Sequence, residues 1–362
     1  MNRTKNKETA GINLEDTHRI IVIGASTGGL EAFKKIIKEL PSDFSPPIFI
    51  VWHMSPDASS ILPQVLNTVT TICSAHGYDN EEIKANRIYI ASPDHHLLIQ
   101  DGKMRVTRGP KENRFRPAID PLFRSAAYAY GNRVVGVILS GALDDGTSGL
   151  STVKYYGGVA IVQDPADAEV PSMPKNALRE VSVDYCVPAS QVGQLLVRLS
   201  KEPPPQNTNV IMGVQTKKGL GVTAEDEVFK KDFLRLGELT PFTCPQCHGA
   251  LSMFQKGNIV RYKCHAGHVY SDDALMLTLT EKVEHGLYDA LRGMDETIIL
   301  LNHLGDHLAA ANQPKSAAVY FKKAKELRER SQLVRKTAVE HEQLSRGTLL
   351  RAGQNENGAA RN

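Results

Sequence analysis

The chain has 362 residues and no apolar run close to the roughly 20 residues that a membrane-spanning helix needs, so a membrane-embedded protein is excluded. It also has little excess charge. With 43 Lys and Arg against 40 Asp and Glu, the formal net charge is +3, which argues against nucleic acid as the main partner. Cysteine is scarce, at five residues. The lysines near the start (Lys5, Lys7) are followed by no apolar core, so residues 1–17 read as a polar, disordered tail and not as a signal peptide. Few cysteines without a secretory signal fit a reducing cytoplasm. There is no internal repeat. What is present is a hydrophobic fraction of 41%, enough for substantial cores, over a length that predicts two domains.

The most informative stretch is Gly24-Ala25-Ser26-Thr27-Gly28-Gly29, directly after the apolar run Ile20–Ile23. It predicts a buried strand, a Gly-rich turn and a helix from Leu30 to Leu40. The frame Gly24-x-Ser26-x-Gly28 matches a nucleophile elbow, in which a sharp turn exposes the serine hydroxyl ahead of a helix N-terminus. The first N–H groups of such a helix have no partner within it and can stabilise an oxyanion. A phosphate-binding turn begins in the same way, but it requires an Asp or Glu at the end of the next strand to hold a ribose. That strand, Ile48–Trp52, ends in His53. A histidine suits a serine and not a ribose. A tight turn with no chemistry is the remaining reading of these residues.

A third buried strand, Val134–Leu139, runs into Ser140-Gly141-Ala142-Leu143-Asp144-Asp145-Gly146. In a parallel α/β sheet, reactive residues gather at the carboxyl ends of strands, and Ser26, His53 and the Asp144–Asp145 pair each follow such an end. Serine needs a base to take its proton, histidine titrates near neutrality, and a carboxylate fixes the imidazole tautomer. His53 could otherwise be a core or capping histidine. Either aspartate could be the N-cap of a helix over Ser148–Tyr156; physics alone does not choose between them. The β–α rhythm, with strands and a hairpin inserted over Ala85–Thr107, predicts a doubly wound α/β domain with a mainly parallel sheet over residues 18–200.

These motifs, with His53-Met54, Ile90–His96, Arg114–Phe123 and Gly136–Gly141, resemble the catalytic domain of the CheB family of chemotaxis methylesterases, the protein-glutamate methylesterases. The resemblance covers roughly residues 17–200 and rests on several independent motifs in order. It implies Ser26 as nucleophile, His53 as base and Asp145, the aspartate next to the glycine, as the orienting acid. The Thr27 N–H becomes the oxyanion donor. Arg114 and Arg116 are either substrate-entrance residues or structural ion-pair residues. The implied activity is hydrolysis of glutamate γ-methyl esters with release of methanol, and deamidation of receptor glutamines, with no cofactor for catalysis. The implied partner is a methylated chemoreceptor or related signalling protein, with a chemosensory kinase or adaptor as a further class. Two departures stand out. Ala142 replaces the methionine usual three residues before the aspartate. Only about 18 residues precede the first strand, so control by a receiver domain in the same chain is not expected.

Beyond residue 200 the composition changes. A Pro-rich start (Pro203-Pro204-Pro205) opens a linker over 201–237. Cys244-x2-Cys247 and Cys264-x3-His268 then have the spacing of a structural zinc site of three cysteines and one histidine, in a zinc-ribbon-like module over 238–272. Gly267 frees the turn, which favours His268 over His265. A reduced knuckle without metal is the alternative. Stand-alone members of the same family resemble this arrangement. Cys73 and Cys186 read as buried core thiols. Leu287, Leu291, Met294, Ile298 and Leu301 stripe one helix, and Tyr320, Ala324, Leu327, Val334 and Ala338 a second, on either side of Asn312-Gln313-Pro314. They predict an antiparallel α-helical hairpin over 273–348, before a disordered tail at 349–362. Its charged residues form a solvated face. The competing functional reading is a chemosensory binding or regulatory protein whose zinc module and hairpin dock a partner.

Overall fold

The computed structural model describes residues 19–55, 61–205, 237–345 and 348–349. The tail expected at 1–17, that expected at 349–362 except for Leu349, and most of the expected linker lie outside the described residues. The chain divides into two compact units, Met1–Ala274 and Leu275–Asn362.

The centre of the first unit is a seven-stranded sheet in the order β3-β4-β2-β1-β7-β8-β9. Its strands are β1 (Ile20–Ala25), β2 (Ile48–Trp52), β3 (Cys73–His76), β4 (Arg87–Ile90), β7 (Val134–Ile138), β8 (Val159–Gln163) and β9 (Tyr185–Val187). Every pairing is parallel. The middle strands are buried on both faces, as continuous apolar runs require when helices cover each side. On one face, α1 (Gly29–Lys38) and α6 (Ala189–Lys201) pack Phe33, Ile36, Leu196 and Leu199 against Ile21, Ile23 and Val137. On the other, α3 (Ile119–Tyr130), α4 (Thr147–Tyr155) and α5 (Ser172–Glu180) pack Ile119, Phe123, Leu150 and Met173 against Val22, Ile138 and Val162. Helix α2 (Leu62–Val69) leads to β3.

The expected inserted segment splits in two. β4 joins the main sheet, and β5 (His96–Gln100) pairs with β6 (Lys103–Thr107) as a separate antiparallel hairpin. The cysteine expectation is corrected: Cys73 and Cys186 are exposed. They sit on β3 and β9, the two edge strands, where neighbouring structure covers less of the chain.

A four-stranded antiparallel sheet completes the first unit: β10 (Glu238–Thr243), β11 (Ala250–Lys256), β12 (Ile259–Cys264) and β13 (Val269–Ser271). The second unit is an antiparallel helical pair, formed by the continuation of α7 (Asp272–Ala310) and by α8 (Pro314–Val339). Asp295 on α7 accepts hydrogen bonds from Ser331 and Arg335 on α8, and His341, just past α8, bonds the Thr280 carbonyl. The stripes place Leu291 and Ile298, then Ala324 and Ala338, in the seam. Among the described residues, no helix is long and apolar enough to cross a membrane.

Candidate active site

The site lies at the carboxyl ends of β1, β2 and β7. Ala25 and Trp52 are the last paired residues of β1 and β2, so Ser26 and His53 come next on neighbouring strands. The turn that carries Ser26 is held from three sides. Its N–H donates to the Ser140 carbonyl at 2.9 Å, and the Gly29 N–H donates to its carbonyl at 3.0 Å. Trp52 Nε1 donates to the same carbonyl at 2.9 Å. Gly28 has a φ of 79°, and a Cβ there would lie 2.6 Å from Ser140 Oγ, so glycine is demanded by both backbone and space. Ser140 Oγ in turn donates to the Thr27 carbonyl at 2.7 Å. Thr27 itself is exposed in the turn, two residues ahead of α1.

His53 and Asp145 meet in a buried pair. Nε2 of His53 lies 2.8 Å from Asp145 Oδ2, with side-chain exposures of 2% and 0%. A carboxylate only accepts, so the ring nitrogen facing it carries the proton. The other nitrogen, Nδ1, is buried with no hydrogen-bond partner. An imidazole held this way leaves an acceptor lone pair on Nδ1, and His53 follows the strand that pairs with the one leading to Ser26. The Phe115 ring lies flat on the imidazole, with centroids 3.7 Å apart and planes 9° apart.

Asp145 is saturated with donors. Oδ2 also accepts the Ile119 N–H at 2.6 Å, and Oδ1 accepts Asn113 Nδ2 at 2.8 Å. Burial alone would push its pKa up, but the hydrogen bonds from His53, Ile119 and Asn113 outweigh it and hold the group down at about 2. Asp144 points elsewhere: its Oδ1 accepts the Ser271 hydroxyl at 2.6 Å, and burial raises its pKa. Neither aspartate provides a side-chain cap for α4; this corrects the capping alternative. The cap comes from Asp120 on α3, whose Oδ1 accepts the Gly149 N–H at 2.6 Å. The sequence places the pair just before the helix, but the Asp145 carboxylate is taken up by His53, Ile119 and Asn113 and that of Asp144 by Ser271.

The two arginines differ. Arg116 donates to Asp94 Oδ1 through Nε at 2.9 Å and Nη2 at 2.6 Å, and to the Gly109 carbonyl at 2.7 Å. Its fork thus braces the 94–116 loops. Arg114 sits in the same loop with a φ of 78°. Residues without a role in the sequence reading complete the site: Trp52, Asn113, Phe115 and Asp120. Phe115 and Asp120 fall inside the Arg114–Phe123 motif, the one signal that could have found them. Asn113 lies just outside it.

A second cluster joins Cys244, Cys247, Cys264 and His268, whose ligand atoms all lie within 4.8 Å of one another. Cys247 and Cys264 sulfurs are 3.5 Å apart, and His268 Nδ1 lies 3.6 and 3.5 Å from Cys244 and Cys264 sulfurs. A zinc tetrahedron with Zn–S near 2.3 Å and Zn–N near 2.0–2.1 Å has edges of roughly 3.6–3.8 Å, so this donor set fits the ion. Two tight turns build it. His248 N–H donates to the Cys244 carbonyl and Gly267 N–H to the Cys264 carbonyl, both at 2.9 Å.

The family model for CheB methylesterase matches residues 21–196. A protein of Leptospira interrogans, provisionally named protein-glutamate methylesterase/protein-glutamine glutaminase, is 39% identical over 185 residues, covering 51% of this chain and 96% of the relative. The Thermotoga maritima protein-glutamate methylesterase/protein-glutamine glutaminase is 37% identical over 185 residues, covering 50% of this chain and 54% of that protein. The solved catalytic domain of a Thermotoga maritima CheB methylesterase is similar at 37% identity over 50% of this chain and 98% of that domain, with a TM-score of 0.48.

Proposed function

We propose, for a chain that belongs to the CheB methylesterase family, that its first unit hydrolyses glutamate γ-methyl esters on a chemoreceptor-like protein with Ser26 as nucleophile. The observation that carries this reading is the buried His53–Asp145 pair, which leaves Nδ1 of His53 without a hydrogen-bond partner at the end of the strand that pairs with the one leading to Ser26. Ser26 Oγ attacks the ester carbonyl as Nδ1 takes its proton. The tetrahedral oxyanion is held by the Thr27 N–H in the turn ahead of α1. Collapse breaks the C–O bond, and His53 returns the proton to the departing methoxide, giving methanol and an acyl-enzyme. Water, activated by the same nitrogen, then releases the glutamate. Asp145 keeps the ring in the required tautomer and stabilises the imidazolium. The same steps on a glutamine side chain release ammonia, so deamidation belongs to the same site.

The Cys3His cluster supplies a structural zinc site, because four protein ligands leave no position for a reactive water. The donors of Arg116 are directed at Asp94 and the Gly109 carbonyl, which supports the ion-pair reading for that residue; Arg114 stays a candidate for either role. The chain works in the cytoplasm, where the methylated segments of receptors, and their kinase or adaptor, are met. The test is methanol release from methyl-labelled receptor membranes. Intact protein should release it and Ser26→Ala should not; equal release by both would remove Ser26 from the chemistry.

A further inference from the structure

The four-stranded ribbon reaches the back of the active site. Its edge strand β13 pairs with the loop that precedes Phe115: Asn113 N–H donates to the Val269 carbonyl at 2.8 Å, and Val269 N–H to the Lys111 carbonyl at 3.3 Å. From β12, Arg261 extends a fork that is 12% exposed. Its Nη1 donates to Asn113 Oδ1 at 2.8 Å and its Nη2 to Asp120 Oδ2 at 2.5 Å. Ser271 N–H donates to the same Asn113 oxygen at 3.0 Å. With two ribbon donors on its oxygen, the Asn113 amide turns its nitrogen towards Asp120 Oδ2, at 3.1 Å, and Asp145 Oδ1, at 2.8 Å. Asn113 and Asp120 are each 1% exposed, so water has little access to replace any of these bonds.

We propose that Arg261 is a positioning residue of the hydrolase, holding Asn113 so that Asp145 stays fixed against His53. This rests on the reading of Asp145 as the carboxylate that orients the base. The ribbon is then a working part of the active site, and the Cys3His cluster that closes the end of β12 helps to place Arg261. A plain electrostatic anchor is the rival role. The two differ in what a lysine can do. Lysine keeps a positive charge beside Asp120 but has no planar fork to span Asp120 and Asn113 together.

The experiment uses the full chain as wild type, Arg261→Lys, Arg261→Met and Ser26→Ala. It measures the thermal midpoint, the steady-state hydrolysis of p-nitrophenyl acetate, and the low-field proton resonance of the His53–Asp145 bond, which needs no substrate. Arg261→Lys should keep the midpoint near wild type, yet lose on the order of 10-fold in kcat with KM within about twofold and a shifted or broadened resonance. That loss is well short of the ~10⁴-fold that follows a wrong tautomer of the base in other triads. Arg261→Met should show the same resonance change with a lower midpoint. Wild-type kcat and resonance in Arg261→Lys would overturn the proposal and leave Arg261 an anchor. If wild type shows no p-nitrophenyl acetate hydrolysis that Ser26→Ala abolishes, methanol release from methyl-labelled receptor membranes supplies the kcat readout; failure there too is failure of the proposed function, and the resonance still decides whether Arg261 holds Asp145.

Discussion

Replacing Asp145 by Asn preserves the size of the side chain and exchanges one of its two acceptor oxygens for a donor. The native carboxylate accepts from His53, from the Ile119 N–H and from Asn113 Nδ2. An amide cannot satisfy all three. With its oxygen towards Ile119, its NH₂ opposes that of Asn113; flipped, it opposes Ile119 and drives the His53 proton onto Nδ1, the nitrogen that accepts from Ser26 in the proposed mechanism. The second arrangement removes the base, and kcat should fall about 10³–10⁴-fold. Stability should fall too. A carboxyl with an ordinary pKa of 3.8 held at about 2 contributes on the order of 2 kcal/mol, fully present above pH ~4 and lost as pH drops towards 2. One opposed buried donor adds roughly 1–3 kcal/mol. Urea unfolding of both proteins at pH 7 and pH 3 reads the stability, and methanol release reads kcat. The gap in stability should narrow at pH 3, where the wild type loses part of its advantage. Asp144→Asn, which touches Ser271 and not His53, should leave most of the activity. Full activity in Asp145→Asn, or greater damage from Asp144→Asn, would refute the assignment.

Three further outcomes are expected. Burial raises the Asp120 pKa to about 6 despite Arg261, so the folded state holds its proton more tightly than the unfolded chain. Stability measured against Asp120→Asn should therefore fall by about 3 kcal/mol as pH rises from ~4 to above 6; a flat difference would contradict this. The full chain should bind one zinc through the Cys3His cluster, and His268→Ala should release it to a chelator far faster than His265→Ala; the reverse order would move the fourth ligand. Trp52, the sole tryptophan, bonds the Ser26 carbonyl, so Trp52→Phe should cost about 1 kcal/mol of stability and lower kcat by loosening the turn; unchanged kcat would make that bond dispensable.

The main sheet was legible because its strands are continuous apolar runs. Ile20–Ile23, Ile48–Trp52 and Val134–Leu139 declare both their burial and their carboxyl ends, and Ser26, His53 and Asp145 follow directly. The edge strands Cys73–His76 and Tyr185–Val187 are only four and three residues long and incompletely buried, so they carry no such signal, and their cysteines were wrongly assigned to the core. The helix cap was misread for a different reason. Asp144 and Asp145 stand where a cap belongs in sequence, but the Gly149 N–H in the first turn of α4 is met by Asp120, 29 residues earlier. The supporting network was the least legible part. Asn113 lies 32 residues from Asp145, and Arg261 lies 148 residues from Asn113. Polar contacts across such separations leave no periodic pattern; only the folded chain brings them together. The Cys3His cluster escaped this problem, since each ligand pair sits in one turn with its own spacing.

The most direct test of the central claim is methanol release from methyl-labelled receptor membranes by intact protein and by Ser26→Ala, side by side. The account predicts steady release by the intact chain and loss of nearly all of it in Ser26→Ala. Release that survives the substitution, or its absence from the intact protein on every methylated receptor offered, would contradict it.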